Sequence, residues 1–128
     1  MKLKVTIGLS FLLFLATIGG CKKKIAGAGG KNSISGTVFF KNGLSGINEA
    51  AAKARVSISY GTKEVTSAFD QTILTDAGGG YKFEGLNTGD YFIKAEYTDA
   101  NGFSYNNPGA SISFENKKKN LEVTFVLE

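Results

Sequence analysis

The chain has 128 residues, one cysteine, no histidine and a net charge of +4 at neutral pH. A chain of this length has room for one domain of ordinary size and is too short for two. Without histidine, any candidate site lacks the commonest general base and the commonest metal ligand. With one cysteine, neither an internal disulfide nor a cysteine-based zinc cluster can form.

The excess of basic over acidic side chains is small and is concentrated in a few short segments. Of the 15 basic side chains, Lys2 and Lys4 precede residue 21, so the remaining chain carries a net charge of only +2. The other basic clusters are two lysine triplets at residues 22–24 and 117–119. Because no recognisable nucleic-acid-binding motif accompanies them, we exclude nucleic acid as a partner. The first triplet is consistent with a solvated tether or with attraction of its lysines to anionic lipid headgroups. The second triplet predicts a polar hairpin turn.

The first 20 residues have the layout of a secretory signal. Two lysines precede an apolar run at residues 5–18, and two glycines lie directly before Cys21. A transmembrane helix needs about 20 apolar residues, whereas residues 5–20 supply 16. An ordinary signal-peptide site resembles Ala-x-Ala, and residues 16–18 match it poorly.

Residues 18–21, which read I-G-G-C, resemble the lipobox of bacterial lipoproteins. The resemblance implies cleavage before Cys21, attachment of lipid to Cys21 and anchoring in a membrane of the bacterial cell envelope, either periplasmic or surface-facing. More than one acyl chain on the cysteine would hold the protein stably. Ordinary secretion and a retained membrane anchor are the alternatives. The predicted organisation is a signal peptide at 1–20, a lipidated cysteine and flexible linker at 21–32, and one domain at 33–128.

After residue 32 the dominant period is two, which is typical of half-buried strands. The pattern predicts five clear strands and two weaker ones, separated by glycine- and asparagine-rich turns. The only helical candidate is residues 48–53, with Asn48 placed to cap one or two turns. About seven short strands predict a single all-β domain, an antiparallel seven-stranded sandwich of the immunoglobulin-like type.

Residues 75–95 read T-D-x-x-G-x-Y-x-F-x-x-L-x-x-G-x-Y-x-I-x-A. This pattern resembles the carboxypeptidase regulatory-like, or transthyretin-like, β-sandwich superfamily, and the resemblance covers residues 33–127. It implies a non-catalytic module of a cell-surface protein. Each matched residue also has a role in folding: Tyr81, Phe83 and Leu86 are expected in the core, and Asp76 is expected to accept hydrogen bonds from turn amides.

The resemblance also extends to pilin-type Cna-B domains, which add a Lys–Asn isopeptide bond promoted by a buried glutamate. Ala95 occupies the position of that glutamate. The sequence therefore argues against this crosslink.

No serine lies in a nucleophile-elbow motif, and no spacing of carboxylates nominates a catalytic pair. We therefore predict neither an enzyme nor a cofactor or metal site. Asp99-Ala100-Asn101-Gly102 resembles half of a calcium loop, and Asp76 is a second calcium candidate, but ordinary turns account for both.

Exposed aromatic side chains are the remaining candidates for a ligand surface. The alternation places Phe39 and Phe92 away from the core, while Phe103 and Tyr105 fall in an irregular segment. The alternative is that flanking segments fold over these rings. The predicted function is a non-catalytic, lipid-anchored envelope module that binds or supports a cell-surface protein or glycan. The second hypothesis is a carbohydrate- or peptide-binding accessory protein that uses these aromatic loops.

Overall fold

The computed structural model describes residues 26–128, which form ten β-strands and no helix. The strands are β1 (Ala28–Lys41), β2 (Asn48–Ala50), β3 (Arg55–Tyr60), β4 (Gln71–Leu74), β5 (Gly80–Leu86), β6 (Gly89–Thr98), β7 (Ser104–Asn106), β8 (Ala110–Phe114), β9 (Asn120–Glu122) and β10 (Phe125–Leu127). The all-β fold predicted from the alternating pattern is confirmed.

The strands form two sheets of five. In the first sheet β1 is central: it pairs with β5 and β2 antiparallel, and with β9 and β10 parallel. In the second sheet β6 is central: it pairs with β3, β7 and β8, and β3 also pairs with β4. At one side the sheets are joined by two backbone hydrogen bonds of 3.1 Å between Asn106 and Glu128.

The core lies between the two sheets, where alternate side chains of each strand meet. The fully buried large side chains include one tyrosine and two phenylalanines, and the aliphatic ones come from both sheets. Their positions agree with the predicted period of two; the largest are Tyr91, Phe83, Phe114, Ile34, Ile58, Leu86, Ile93 and Leu127.

The two ends of the sandwich differ, and we name them by the chain segments found there. The proximal end holds residues 26–28, the 87–89 turn and the 115–119 connection, since β1 and β6 both begin there. The distal end holds residues 42–47 and 99–103, where β1 and β6 finish. Among the described residues no helix is long and apolar enough to cross a bilayer.

Several predicted details are wrong. The strand count rises from seven to ten because β2 and β7 are additional short strands and the last predicted strand splits into β9 and β10. The predicted helix at 48–53 is instead β2 followed by a turn, because residues 48–50 pair with the end of β1. Packing against a neighbouring strand outweighs the helical preference of three alanines.

The lysine triplet at 117–119 is not in a hairpin turn. It connects β8 in the second sheet to β9 in the first, so the chain changes sheets here. After this crossover the chain runs beside β1 in the same direction, and the sandwich is therefore mixed rather than purely antiparallel. Strand β1 also takes in residues 28–32, the last part of the segment predicted to be a linker.

Candidate functional site

Cys21, the predicted lipidation site, lies outside the described residues. The described chain does reveal where the segment that follows it joins the domain. The amide of Gly27 donates to the Tyr91 hydroxyl at 2.8 Å, and the amide of Asn87 donates to the Gly27 carbonyl at 2.8 Å. The chain is therefore fixed to the proximal end from residue 27 onward.

Two of the four aromatic side chains predicted to form a ligand surface are buried. Phe92 is 2% exposed, because the turn at residues 107–109 folds over its ring. A methyl group on Gly109 would lie 2.3 Å from the ring carbon Cζ, and the φ of Gly109 is +99°, so only glycine suits this position. Phe92 lies outside the core cluster, so it does point away from the core as predicted. The alternative considered above applies, since a flanking segment covers the ring and leaves no exposed surface for a ligand.

Tyr105 is also buried, with 5% exposure, so its prediction as a ligand-binding platform is wrong as well. Its hydroxyl accepts a hydrogen bond from the Gly43 amide at 3.0 Å and donates one to Asp99 at 3.1 Å. Its ring packs 5.0 Å from that of Phe40, measured between centroids. Tyr105 therefore ties the 42–47 loop to the 99–103 turn at the distal end.

The other two aromatics remain accessible to different degrees. Phe39 is half-buried and lies outside the core cluster, in register with Ala50 on one neighbouring strand and Val126 on the other. Phe103 is 49% exposed in the turn before β7. The four predicted residues therefore do not form one exposed aromatic surface, because two of them are buried.

The distal end carries an apolar surface that the sequence analysis missed. Leu44 is 75% exposed and Ile47 is 63% exposed, and both lie in the loop that Tyr105 holds beside the turn carrying Phe103. We call these three residues the distal apolar loops. Two aliphatic residues inside the polar, glycine-rich turn 42–47 were the available signal. Large exposed apolar side chains on neighbouring loops are typical of binding surfaces.

The carboxylates of the two calcium candidates serve their own turns. Asp76 accepts hydrogen bonds from the amides of Gly78 at 2.9 Å and Gly80 at 2.8 Å, as predicted. Asp99 accepts from the amides of Asn101 and Phe103, each at 2.9 Å. Within residues 26–128 no three acidic, histidine or cysteine side chains are grouped closely enough to hold a metal ion.

The pKa values of two tyrosines with buried rings, Tyr81 and Tyr91, are raised above the ordinary value. Burial raises the pKa of Tyr91, and hydrogen bonds with the backbone of Gly27 and Asn87 act in the opposite direction. Burial also raises the pKa of Tyr81, and the nearby charge of Glu122 raises it further. Both hydroxyls are neutral at physiological pH and donate to carbonyl groups, so their role is structural.

An open groove of about 650 Å³ lies beside β1, β4 and β5. The groove is lined by Ser35, Gly36, Thr37, Ile73, Leu74, Asp76, Gly80, Tyr81, Lys82 and Glu122. Of its two carboxylates, Asp76 accepts hydrogen bonds from amides of its own turn, and Glu122 lies on β9. Leu74 beside the groove is 60% exposed.

Comparison with solved structures finds β-sandwich proteins. A proposed carbohydrate-binding protein from Pseudomonas aeruginosa matches with a TM-score of 0.52 and 16% identity, over 79% of this chain and 91% of that protein. The major pilin subunit of Bacillus cereus matches with a TM-score of 0.53 and 15% identity, over 77% of this chain and 30% of the pilin. At these identities the likeness establishes the fold alone.

No protein-family model and no curated protein matches the chain. The structure and these comparisons establish the fold, a two-sheet β-sandwich whose two ends differ.

Proposed function

We propose that the protein is a non-catalytic, lipid-anchored module of the bacterial cell envelope. In this proposal the leader is removed before Cys21, the cysteine carries lipid, and the sandwich binds or supports another cell-surface component. The resemblance to lipoprotein signals and to carboxypeptidase regulatory-like domains supports this assignment. The β-sandwich folds of a pilin subunit and of a proposed carbohydrate-binding protein are compatible with it.

The observation that carries the proposal is the arrangement of the two ends. The chain from Cys21 joins the domain at the proximal end, whereas Leu44, Ile47 and Phe103 lie at the opposite end. A domain anchored in this way directs these three side chains away from the membrane. Large exposed apolar side chains on neighbouring loops are typical of binding surfaces, so binding at the distal apolar loops is the activity best supported.

The experiment is photo-crosslinking in living cells with a reactive amino acid at position 103. The same amino acid at Val65, which is 78% exposed in the loop between β3 and β4, is the matched control. We expect a discrete crosslinked product from position 103 that is absent from position 65. Crosslinking that is equal at both positions, or that is found only at position 65, would contradict a partner at the distal end.

The second candidate is a carbohydrate-binding accessory protein, which the proposed activity of the Pseudomonas aeruginosa neighbour favours. Glycan arrays probed with the soluble chain, carrying Cys21→Ser, distinguish the candidates. Saturable glycan binding that is lost in Phe103→Ala and kept in Val65→Ala would favour this second function. An envelope protein crosslinked at position 103, without glycan binding, favours the first.

A further inference from the structure

The proximal end carries a group of lysines on segments that are distant in sequence. Lys31 belongs to the start of β1, and residues 117–119 connect β8 to β9. The buried side chain of Asn32 joins these segments: it donates to the Asn116 carbonyl at 2.9 Å and accepts from the Lys119 amide at 2.7 Å. The lysine connection is thus held in a defined position beside Lys31.

A cleft of about 310 Å³ opens between these segments. Its lining consists of Gly29, Gly30, Lys31, Asn87, Thr88 and Lys117, and includes no carboxylate. Two lysines and a threonine are among the residues that line this cleft, and the Asn87 side chain already donates to the Ala28 carbonyl at 2.9 Å. Lysine ammonium groups beside a cleft without carboxylates suit a phosphate-bearing headgroup.

The lysines of this end have no carboxylate partner. Across residues 26–128 the ion pairs are Arg55–Glu96, Lys82–Glu84 and Lys94–Glu96. Lys31 and all three lysines of the connection are exposed and belong to none of these pairs. Glu115 is the single carboxylate within residues 115–119, so the connection keeps a net positive charge.

The length of chain between Cys21 and Gly27 limits how far this positive charge can lie from the lipid anchor. Gly27 is fixed to Tyr91, and six residue steps separate it from Cys21. At about 3.5 Å per residue the fully extended segment reaches only about 20 Å. The same segment contributes residues 22–24, which are three further lysines. An anchored Cys21 therefore keeps the proximal end close to the headgroup layer.

We propose that the proximal basic end binds the anionic headgroups of the membrane leaflet that holds the lipid on Cys21. This inference rests on the anchoring proposed above and extends it, because it assigns the domain a fixed orientation on the membrane. Headgroup phosphates contact Lys31 and residues 117–119, while the distal apolar loops face away. Each lysine near an anionic surface strengthens binding about fivefold at moderate ionic strength.

The test uses residues 21–128 with Cys21→Ser, so that the lipid makes no contribution. Binding is measured by co-sedimentation with phosphatidylcholine vesicles that contain either no anionic lipid or about one third phosphatidylglycerol. We expect binding to the anionic vesicles only, weakening as salt is added. Binding that is equal on both vesicles, or absent from both, would overturn the proposal.

Charge reversal locates the surface. Lys117→Glu combined with Lys118→Glu should weaken vesicle binding at least twentyfold, and Lys31→Glu alone should weaken it at least fivefold. The matched control combines Lys41→Glu with Lys53→Glu, which makes the same change in net charge away from the proximal end. Equal losses in the two double variants would overturn the proposed site. Because Cys21 is absent throughout, these results are independent of whether the natural protein is lipidated.

Discussion

Single side chains in this domain connect segments that are far apart in sequence. The hydroxyl of Tyr91 accepts from the Gly27 amide and donates to the Asn87 carbonyl at 2.7 Å, with its ring buried in the core. A buried hydroxyl that satisfies two backbone groups stabilises more than its size suggests, because removing it leaves those groups unpaired. Tyr91 therefore couples the start of β1 to the turn between β5 and β6.

We predict that Tyr91→Phe lowers the free energy of unfolding by about 1–3 kcal/mol, because it leaves the buried Gly27 amide without its partner. Urea denaturation measures the loss, and hydrogen exchange should show faster exchange at Gly27. Tyr60→Phe is the matched control, since its hydroxyl makes only an exposed bond of 3.3 Å to Gln71. An equal effect in both variants would contradict the assigned role.

The raised pKa of Tyr81 predicts a specific loss of stability at alkaline pH. Above about pH 10, the ordinary pKa of tyrosine, the unfolded chain releases this proton while the folded protein retains it. Since the unfolded state then binds fewer protons, the free energy of unfolding falls as pH rises above this value and is unaffected by Tyr81 below it. Between about pH 9 and pH 11 the wild-type protein should lose more stability in urea than Tyr81→Phe does. Parallel losses would contradict this account.

At the scale of elements, the crossover from β8 to β9 makes the sandwich mixed, because the two strands that follow it run parallel to β1. It moves the chain between sheets, and Asn32 holds it through hydrogen bonds to two backbone groups. The side chain of Ser33 adds a bond of 2.5 Å to Asn120 at the start of β9. The first part of β1 therefore also holds the crossover and the start of β9 in place.

We expect Asn32→Ala to lower the free energy of unfolding by about 1–3 kcal/mol, since two backbone groups lose their partner. Thermal or urea denaturation checks this value. Asn101→Ala, in an exposed turn of the distal end, is the control and should change stability by less than about 0.5 kcal/mol. If Asn32→Ala were as stable as the control, the fastening role would be refuted.

The alternating pattern predicted most of the core correctly, because burial of every second side chain is a local property of a strand. Tyr81, Phe83 and Leu86 are all buried as expected. The pattern could not reveal that residues 107–109 cover Phe92, since this contact depends on tertiary structure. For the same reason Asn32 resembled a linker residue, although it is fully buried.

The candidate site was less predictable than the core. Phe103 was correctly placed on the surface, whereas Tyr105, two residues later, is buried by the loop it binds. Leu44 and Ile47 were overlooked because a glycine-rich turn gives no alternation to interpret. Binding surfaces made by adjacent loops depend on which loops meet, and that is set by the sheets rather than by local sequence.

At the scale of the whole molecule, the two ends of the sandwich differ in chemistry and suit different roles. The proximal end combines the attachment of the chain with unpaired lysines, and the distal end presents exposed apolar loops. The sandwich separates the two ends, since β1 and β6 run from one to the other. Under the proposed anchoring at Cys21, the proximal end would lie at the membrane and the distal apolar loops would face a partner.

Lipidation of Cys21 is the central claim, and labelling with palmitate in the producing bacterium tests it most directly. The wild-type protein should incorporate the label and fractionate with membranes, because acyl chains on the cysteine give stable anchoring. Cys21→Ser should incorporate no label, while Lys22→Ser, a change at the adjacent position, should be labelled like the wild type. Label that persists in Cys21→Ser would contradict the account.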